Sequence, residues 1–370
     1  MDVKINNNIY PIALLSGETT PYPNNSTGIM FNKYGRFGSF IMKIVTKLHT
    51  AAISVAMLVL ANSAFAVDRG QVSTNANVIE PYEPSTIGYT KDSDDVGFMD
   101  FTISLKYRLL PQTIFVLTDN DSEQLYFAFT GRFGMYLETR HSSPVIGKSY
   151  NPKIFWRHVT NSGTQPLTMH NANDHQEHEA YNGYIDFGYN HQSNGQSIDS
   201  AAEYLAARNS AEKPDYANDN LSRGWDYLEV DWKKTLTASD IHRLLSYVNL
   251  RYFLHHGLMQ RTAEEYNDWE NSSEGKPRKA INGIGATIEY QYGKTIYTRK
   301  MPLLANPTVT LKYETGYQSP FKYSTVRIEV GTQMLELPLT FWLQRGYNSD
   351  LAQYFKKVDS YGVELRMGTF

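Results

Sequence analysis

The sequence predicts an all-β fold, a twelve-stranded antiparallel transmembrane β-barrel. Three observations lead to this prediction. Runs of about ten residues that alternate between apolar and polar recur along the chain, and about ten residues suffice for a tilted strand to cross a bilayer. The mean hydropathy is −0.46, and no stretch long enough for a membrane helix follows residue 66. A leader for export precedes the first run, so the protein is expected to leave the cytoplasm.

The leader is predicted from the order of its parts. Basic Lys43 and Lys47 precede an apolar stretch at 51–61, and Ala64-Phe65-Ala66 supplies a small-x-small cleavage site. We therefore expect four regions. They are an upstream extension at 1–41 that arises from an over-extended start, a signal peptide at 42–66, an extended N-terminal arm at 67–96 and the barrel at 97–370.

Eleven alternating runs are evident. They lie at about 100–107, 124–138, 152–160, 183–193, 225–235, 244–254, 282–292, 308–316, 324–334, 338–347 and 360–368. Bacterial single-chain barrels have an even number of strands, so we expect twelve. The missing strand is predicted around 113–118 or 295–304.

Alternation alone does not say which face of the barrel is apolar. A soluble barrel would enclose its apolar residues, and a membrane barrel would expose them to lipid. The leader and the alternation of Tyr361, Val363, Leu365 and Met367 before the terminal Phe370 favour the outer membrane of a Gram-negative bacterium. A formal charge of only −3 gives no reason to expect nucleic acid as a partner.

Residues with catalytic chemistry end one of these runs. Side chains alternate along a strand, so one face of 184–195 carries five residues in a row. These are Ile185, Phe187, Tyr189, His191 and Ser193. Polar His191 and Ser193 thus continue a row predicted to face lipid, which is costly unless they have a function.

The next run supplies a carboxylate. Asp226 heads the apolar row that continues with Leu228, Val230 and Trp232. A histidine that accepts a serine proton needs a partner for its other ring nitrogen, and a carboxylate on the neighbouring strand provides one. The sequence therefore predicts a catalytic group of Ser193 as nucleophile, His191 as base and Asp226 as orienting carboxylate.

The stretch at 188–195, Gly-Tyr-Asn-His-Gln-Ser-Asn-Gly, with 222–225, Ser-Arg-Gly-Trp, resembles the outer-membrane phospholipase A family of Gram-negative bacteria. The pieces at 142–144, 150–152 and 345–347 are also similar and occur in the same order. The resemblance covers about residues 97–370. It implies a twelve-stranded barrel, calcium-dependent hydrolysis of acyl esters of phospholipids and lysophospholipids, and activity as a homodimer.

The resemblance also implies the residues that hold calcium. Ser222 would provide its hydroxyl and Gln196 its backbone carbonyl, while the carbonyl of Ser142 would reach the calcium of the partner subunit. Neutral and carbonyl oxygens with waters are a donor set that Ca²⁺ accepts.

The sequence departs from the family pattern in three places. Asp226 stands where the family carries asparagine, and the loop at 197–221 is longer than expected, with a helix predicted over 201–207. The glutamine that the resemblance implies on the second strand, as an aid to the oxyanion hole, is not evident around Thr130 to Arg132, so that role is unassigned. Two histidine clusters are not predicted to be functional sites. His170, His175, Glu177 and His178 are interpreted as part of a solvated loop and not as a metal site, and His255-His256-Gly257 as a turn. The alternative to an enzyme is a non-catalytic barrel, a porin or an adhesin, in which Ser193 would have no role.

Overall fold

The computed structural model describes residues 79–94, 96–109, 123–137, 145–160, 183–239, 241–260, 276–298, 301–334 and 337–367. All of them lie within the unit His49–Phe370. The predicted extension, the signal peptide, Ser142, the first histidine cluster and Phe370 lie outside the described residues. No helix among the described residues is long and apolar enough to cross a membrane.

Fourteen strands occur within the described residues. They are β1 (Ile79–Pro81), β2 (Ser85–Asp92), β3 (Gly97–Arg108), β4 (Glu123–Leu137), β5 (Ile146–Val159), β6 (Gly183–Ser193), β7 (Gly224–Ala238), β8 (His242–Phe253), β9 (Gly283–Tyr292), β10 (Ile296–Thr298), β11 (Met301–Gly316), β12 (Ser324–Met334), β13 (Leu337–Tyr347) and β14 (Lys357–Met367). Twelve of them form a closed antiparallel barrel: each strand from β2 to β9 and from β11 to β14 pairs with its neighbours, β9 pairs with β11, and β14 pairs with β2. Short β1 and β10 extend the ladders of β3 and β11.

The predicted fold class is confirmed, but the expected place of the missing strand is wrong. The twelfth strand is β2, inside the segment 67–96 that the sequence assigned to an arm, so the barrel begins at Ser85 rather than at 97. Residues 113–118 lie outside the described part of the chain. The segment 295–304 contains β10 and the start of β11, which add no further strand to the barrel.

The outer face of the barrel is apolar. Large exposed side chains recur along it, among them Ile154, Phe187, Leu250, Phe341 and Leu343, which are each about half exposed. Because an apolar band around a closed sheet is stable only in an apolar surrounding, this is the polarity of a barrel that crosses a bilayer.

The inner face carries paired charges. Lys153 Nζ lies 2.6 Å from Glu229 Oε2 and 2.7 Å from Asp231 Oδ2, and all three side chains are buried. A second buried carboxylate, Glu329, is contacted by three cations, Lys312, Arg327 and Arg366. Buried charges are costly unless they are paired and hydrogen-bonded, as they are here. These pairs fill the barrel interior with polar side chains.

Several connections meet at the barrel end where β6 and β8 finish. Between β6 and β7 lie helix α1 (Ala201–Ser210), which contains the predicted helix at 201–207, and a 3-10 helix at Pro214–Asn220. Ser200 caps α1 by accepting a hydrogen bond from Glu203 N at 3.4 Å. From the 3-10 helix, Asp219 accepts bonds from Tyr136 on β4 and from Gln353 after β13. This connection is therefore tied to the barrel mouth.

Candidate active site

Strand β6 presents its outward row as the alternation predicted. Phe187 is 47% exposed, whereas Asp186 and Asn190, on the other face, are buried. His191 and Ser193 share the parity of Phe187, so they continue the outward row at the end of the strand. The site is therefore built on the outside of the barrel, at the end of a strand that is paired on both sides.

His191 and Asp226 are directly opposite each other in the register of β6 and β7. His191 Nδ1 lies 2.7 Å from Asp226 Oδ1, which is hydrogen-bonding distance. A carboxylate can only accept, so this bond places a proton on Nδ1 and leaves Nε2 of the neutral ring as the basic nitrogen. The structure thus brings together two of the three residues that the sequence grouped.

Asp226 is buried although it belongs to an outward row. Leu228, two residues along β7, is 49% exposed, whereas Asp226 is 1% exposed. The chain that follows β8 covers it: Met259 N and Gln260 N each donate to Asp226 Oδ2 at 2.9 Å. The carboxylate therefore does not face lipid, contrary to what its position in the row suggests.

A tyrosine completes the environment of this carboxylate. Tyr189 Oη donates to Asp226 Oδ2 at 2.6 Å and itself accepts from Leu258 N at 2.7 Å. Together with His191, four donors surround the two oxygens. Charge-assisted hydrogen bonds of this kind offset the cost of removing a carboxylate from water. The site is therefore suited to an ionised Asp226.

The segment at 255–257, interpreted from the sequence as a turn without a further role, is a bend that contacts the site. A Cβ added at Gly257 would overlap the Asp226 carboxylate, so only glycine allows the chain to pass this closely. Neither this contact nor the roles of Tyr189, Met259 and Gln260 could be predicted from the sequence. Two of the three donors to Oδ2 are backbone N–H groups, which any residue would supply at those positions.

Ser193 lies at the end of the same outward row. It is opposite Tyr150 on β5 and Gly224 on β7. Within the described residues, no hydrogen bond joins Ser193 to His191. Residues i and i+2 of a strand are about 6.5–7 Å apart, so the two side chains meet only if both turn toward each other. Hydrogen bonds of this type are often long before substrate binds.

Two of the residues expected to bind calcium lie beside Ser193. The buried side chain of Asn194 accepts from Gln196 N at 3.4 Å and from Arg223 N at 2.9 Å. It thereby ties the segment that contains Gln196 to the one that contains Ser222. A carbonyl and a hydroxyl are donors that Ca²⁺ accepts, but they are only part of a shell of six to eight oxygens. Among the described residues, no group of three or more His, Asp or Glu side chains is placed for a metal ion.

The fold and the exterior site define a class, the outer-membrane type of β-barrel with a histidine–carboxylate pair on its outer face. No protein-family model matches the sequence, and no curated protein matches it. Among solved structures, outer membrane phospholipase A from Escherichia coli is similar at a TM-score of 0.51 and 16% identity, over 79% of this chain and 100% of that one.

Two further structures are similar to the same degree. An active-site mutant of the Escherichia coli enzyme at pH 6.1 has a TM-score of 0.50 at 16% identity, over 80% of this chain and 95% of that one. The Salmonella typhi outer membrane phospholipase dimer with bound calcium also has a TM-score of 0.50 at 16% identity, over 79% and 92%. At this identity the similarity establishes the fold.

Proposed function

We propose that this protein hydrolyses acyl ester bonds of phospholipids and lysophospholipids in the outer membrane, with Ser193 as nucleophile, His191 as base and Asp226 as orienting carboxylate. The observation that carries the proposal is the 2.7 Å bond between His191 and Asp226 on the outer face of the barrel. His191 and Ser193 continue the outward row of β6, on the side of the barrel where a phospholipid substrate would be embedded. A site that faced the lumen would not meet lipid.

The proposed reaction has two stages. Ser193 Oγ attacks the ester carbonyl carbon and its proton passes to His191 Nε2. The bond from that carbon to the lysophospholipid oxygen then breaks, and this oxygen takes the proton from Nε2. Water next attacks the acyl-serine, losing a proton to Nε2. Ser193 Oγ leaves as the fatty acid forms, and it recovers the proton. Asp226 keeps the proton on Nδ1 throughout.

Calcium is part of the proposal. Gln196, through its carbonyl, and Ser222, through its hydroxyl, would hold the ion beside Ser193. When bound, Ca²⁺ would polarise the ester carbonyl and stabilise negative charge on its oxygen. Ser142 of a second subunit would complete the shell, which makes a homodimer the expected active form. The solved Salmonella typhi enzyme is a dimer with bound calcium, which supports this arrangement.

Export to the outer membrane through the periplasm, with residues 42–66 as the signal peptide, belongs to the same proposal. The apolar outer face supports it. The alternative of a porin is not favoured, because buried ion pairs such as Arg157 with Asp186, at 2.7 Å, occupy the interior of the barrel.

The test is release of fatty acid from phospholipid–detergent micelles by the refolded protein, with calcium or with chelator. We expect calcium-dependent hydrolysis that Ser193→Ala lowers by at least about 10³-fold. Ser349→Ala, at an exposed loop position at the same barrel end, is the control and should retain activity. Hydrolysis that survives in folded Ser193→Ala would overturn the assignment, and an inactive, folded, calcium-loaded dimer would favour the non-catalytic barrel.

A further inference from the structure

Gly224 has no side chain at a position directly across the strand pair from Ser193. The two residues are directly opposite in the register of β6 and β7. Gly224 has the parity of Asp226 and Leu228, so the side chain that it lacks would point outward, on the face that carries Ser193. An outward cross-strand pair brings two Cβ positions to about 5 Å from each other.

The carboxamide of Gln260 occupies this position. A Cβ added at Gly224 would lie 2.6 Å from Gln260 Oε1, 3.2 Å from Cδ and 3.3 Å from Nε2. The carboxamide therefore lies where a side chain of residue 224 would be, across the strand pair from Ser193. A larger residue at 224 would exclude it.

The backbone of Gln260 is fixed at this place. Its N–H donates to Asp226 Oδ2 at 2.9 Å, and its carbonyl accepts from Gly257 N at 2.9 Å. The residue that orients the carboxylate thus also carries an amide group to the serine end of the site. A donor held in advance by such bonds needs little reorganisation when charge develops on the substrate.

We propose that Gln260 is a catalytic residue whose side-chain N–H groups stabilise the oxyanion formed when Ser193 attacks the ester. This inference rests on the proposed function. The carboxamide can present its NH₂ group by rotation about its last torsion, since either end is placed beside Gly224. Its contribution would add to that of calcium and would act on the same oxygen.

The experiment compares Gln260→Ala and Gln260→Glu with the unaltered protein in the micelle assay with calcium. The loss of one oxyanion donor lowers kcat by about 10²–10³-fold, and we expect this for both variants, because glutamate keeps the shape and loses the N–H groups. KM and the pH at which activity falls on the acid side should not change, because Gln260→Ala keeps the backbone N–H to Asp226. Gln318→Ala, at an exposed position after β11, is the control.

The outcomes separate this inference from the proposed function. If the protein is active and depends on Ser193, but Gln260→Ala stays within about threefold of its kcat, Gln260 is not the donor. A shift of the acid limb in Gln260→Ala would instead mean that the side chain only positions Asp226. If Ser193→Ala leaves hydrolysis unchanged, the proposed function fails first.

Discussion

Gly257 lies against the carboxylate of Asp226, close enough that a Cβ at this position would overlap Oδ2. The contact allows the turn after β8 to bring Met259 N and Gln260 N to the same oxygen. The buried carboxylate therefore depends on a residue with no side chain, in a segment that is not part of the sheet.

Replacing Gly257 by alanine is expected to displace either the turn or the carboxylate. Because His191 is oriented by Asp226, kcat should fall by about tenfold or more, a loss of roughly 1.4 kcal/mol of transition-state stabilisation. The measurement is micelle hydrolysis by the folded variant. Gly331→Ala is the matched control, since a Cβ there meets nothing closer than 3.5 Å. Equal kcat in the two variants would contradict the role of the contact.

Asp226→Asn tests whether the site requires a carboxylate. Tyr189 Oη and two N–H groups donate to Oδ2, so the carbonyl oxygen of an asparagine would occupy that position. Its NH₂ group would then face His191 Nδ1 and require that nitrogen to accept, which moves the ring proton to Nε2. An imidazole in this tautomer cannot take the serine proton, and we expect kcat to fall by about 10⁴-fold. An Asp226→Asn protein within tenfold of normal kcat would show that the donors do not fix the orientation.

Tyr189→Phe removes one donor to Asp226 and the acceptor for Leu258 N. A hydrogen bond to a charged group contributes about 1.5–3 kcal/mol, and part of it should appear as a loss of about tenfold in kcat with KM unchanged. The control is Tyr252→Phe, which removes the hydroxyl of an outward tyrosine that is 61% exposed on β8. If both substitutions have the same effect, the hydroxyl of Tyr189 does not act through Asp226.

Much of this architecture follows from the sequence. The bounds predicted for β6, 183–193, agree with the structure, because exposed Phe187 and buried Asp186 alternate without interruption. Strand β2 was missed because its inward residues Thr86, Gly88 and Thr90 are small and its outward apolar row is short, so the composition of the segment is typical of a loop. Its place in the barrel depends on pairing with β14 and β3, which local alternation does not reveal.

In the site, too, some features follow from local alternation and others depend on tertiary structure. His191 and Asp226 could be grouped because each ends an alternating row, and antiparallel pairing of adjacent strands brings such ends together. The covering of Asp226 could not be foreseen, because it depends on the path of a long connection and on main-chain donors. The burial of this residue is a tertiary property, and it reverses the expectation that the carboxylate faces lipid.

The connection after β13 gives a prediction about pH. Burial raises the pKa of Asp350 to about 6, and the neighbouring charge of Asp219 adds to the increase. The folded state therefore binds a proton more tightly than the unfolded chain, whose aspartates titrate near 3.9. Stability should fall as pH rises from about 4 to about 6 and then level off.

Asp350→Asn should reduce this slope and keep the cap, since Asp350 Oδ1 accepts from Ala352 N and an amide oxygen can do the same. The measurement is the midpoint of guanidinium unfolding in detergent at several pH values. Asp94→Asn, a substitution of the same kind at an exposed loop position, is the control. A slope in Asp350→Asn as steep as in the unaltered protein would rule out this carboxyl as its source.

The donors to Asp226 come from β6 and from the chain beyond β8, so the carboxylate is oriented only after three successive strands and the connection that follows them have assembled. A chain halted during insertion after β7 would carry Ser193 and His191 but no ordered partner for the imidazole. On the proposed function, lipolysis would begin only once β8 and the connection that follows it are in place. A partly assembled barrel would then not hydrolyse the phospholipids of the membrane into which it inserts.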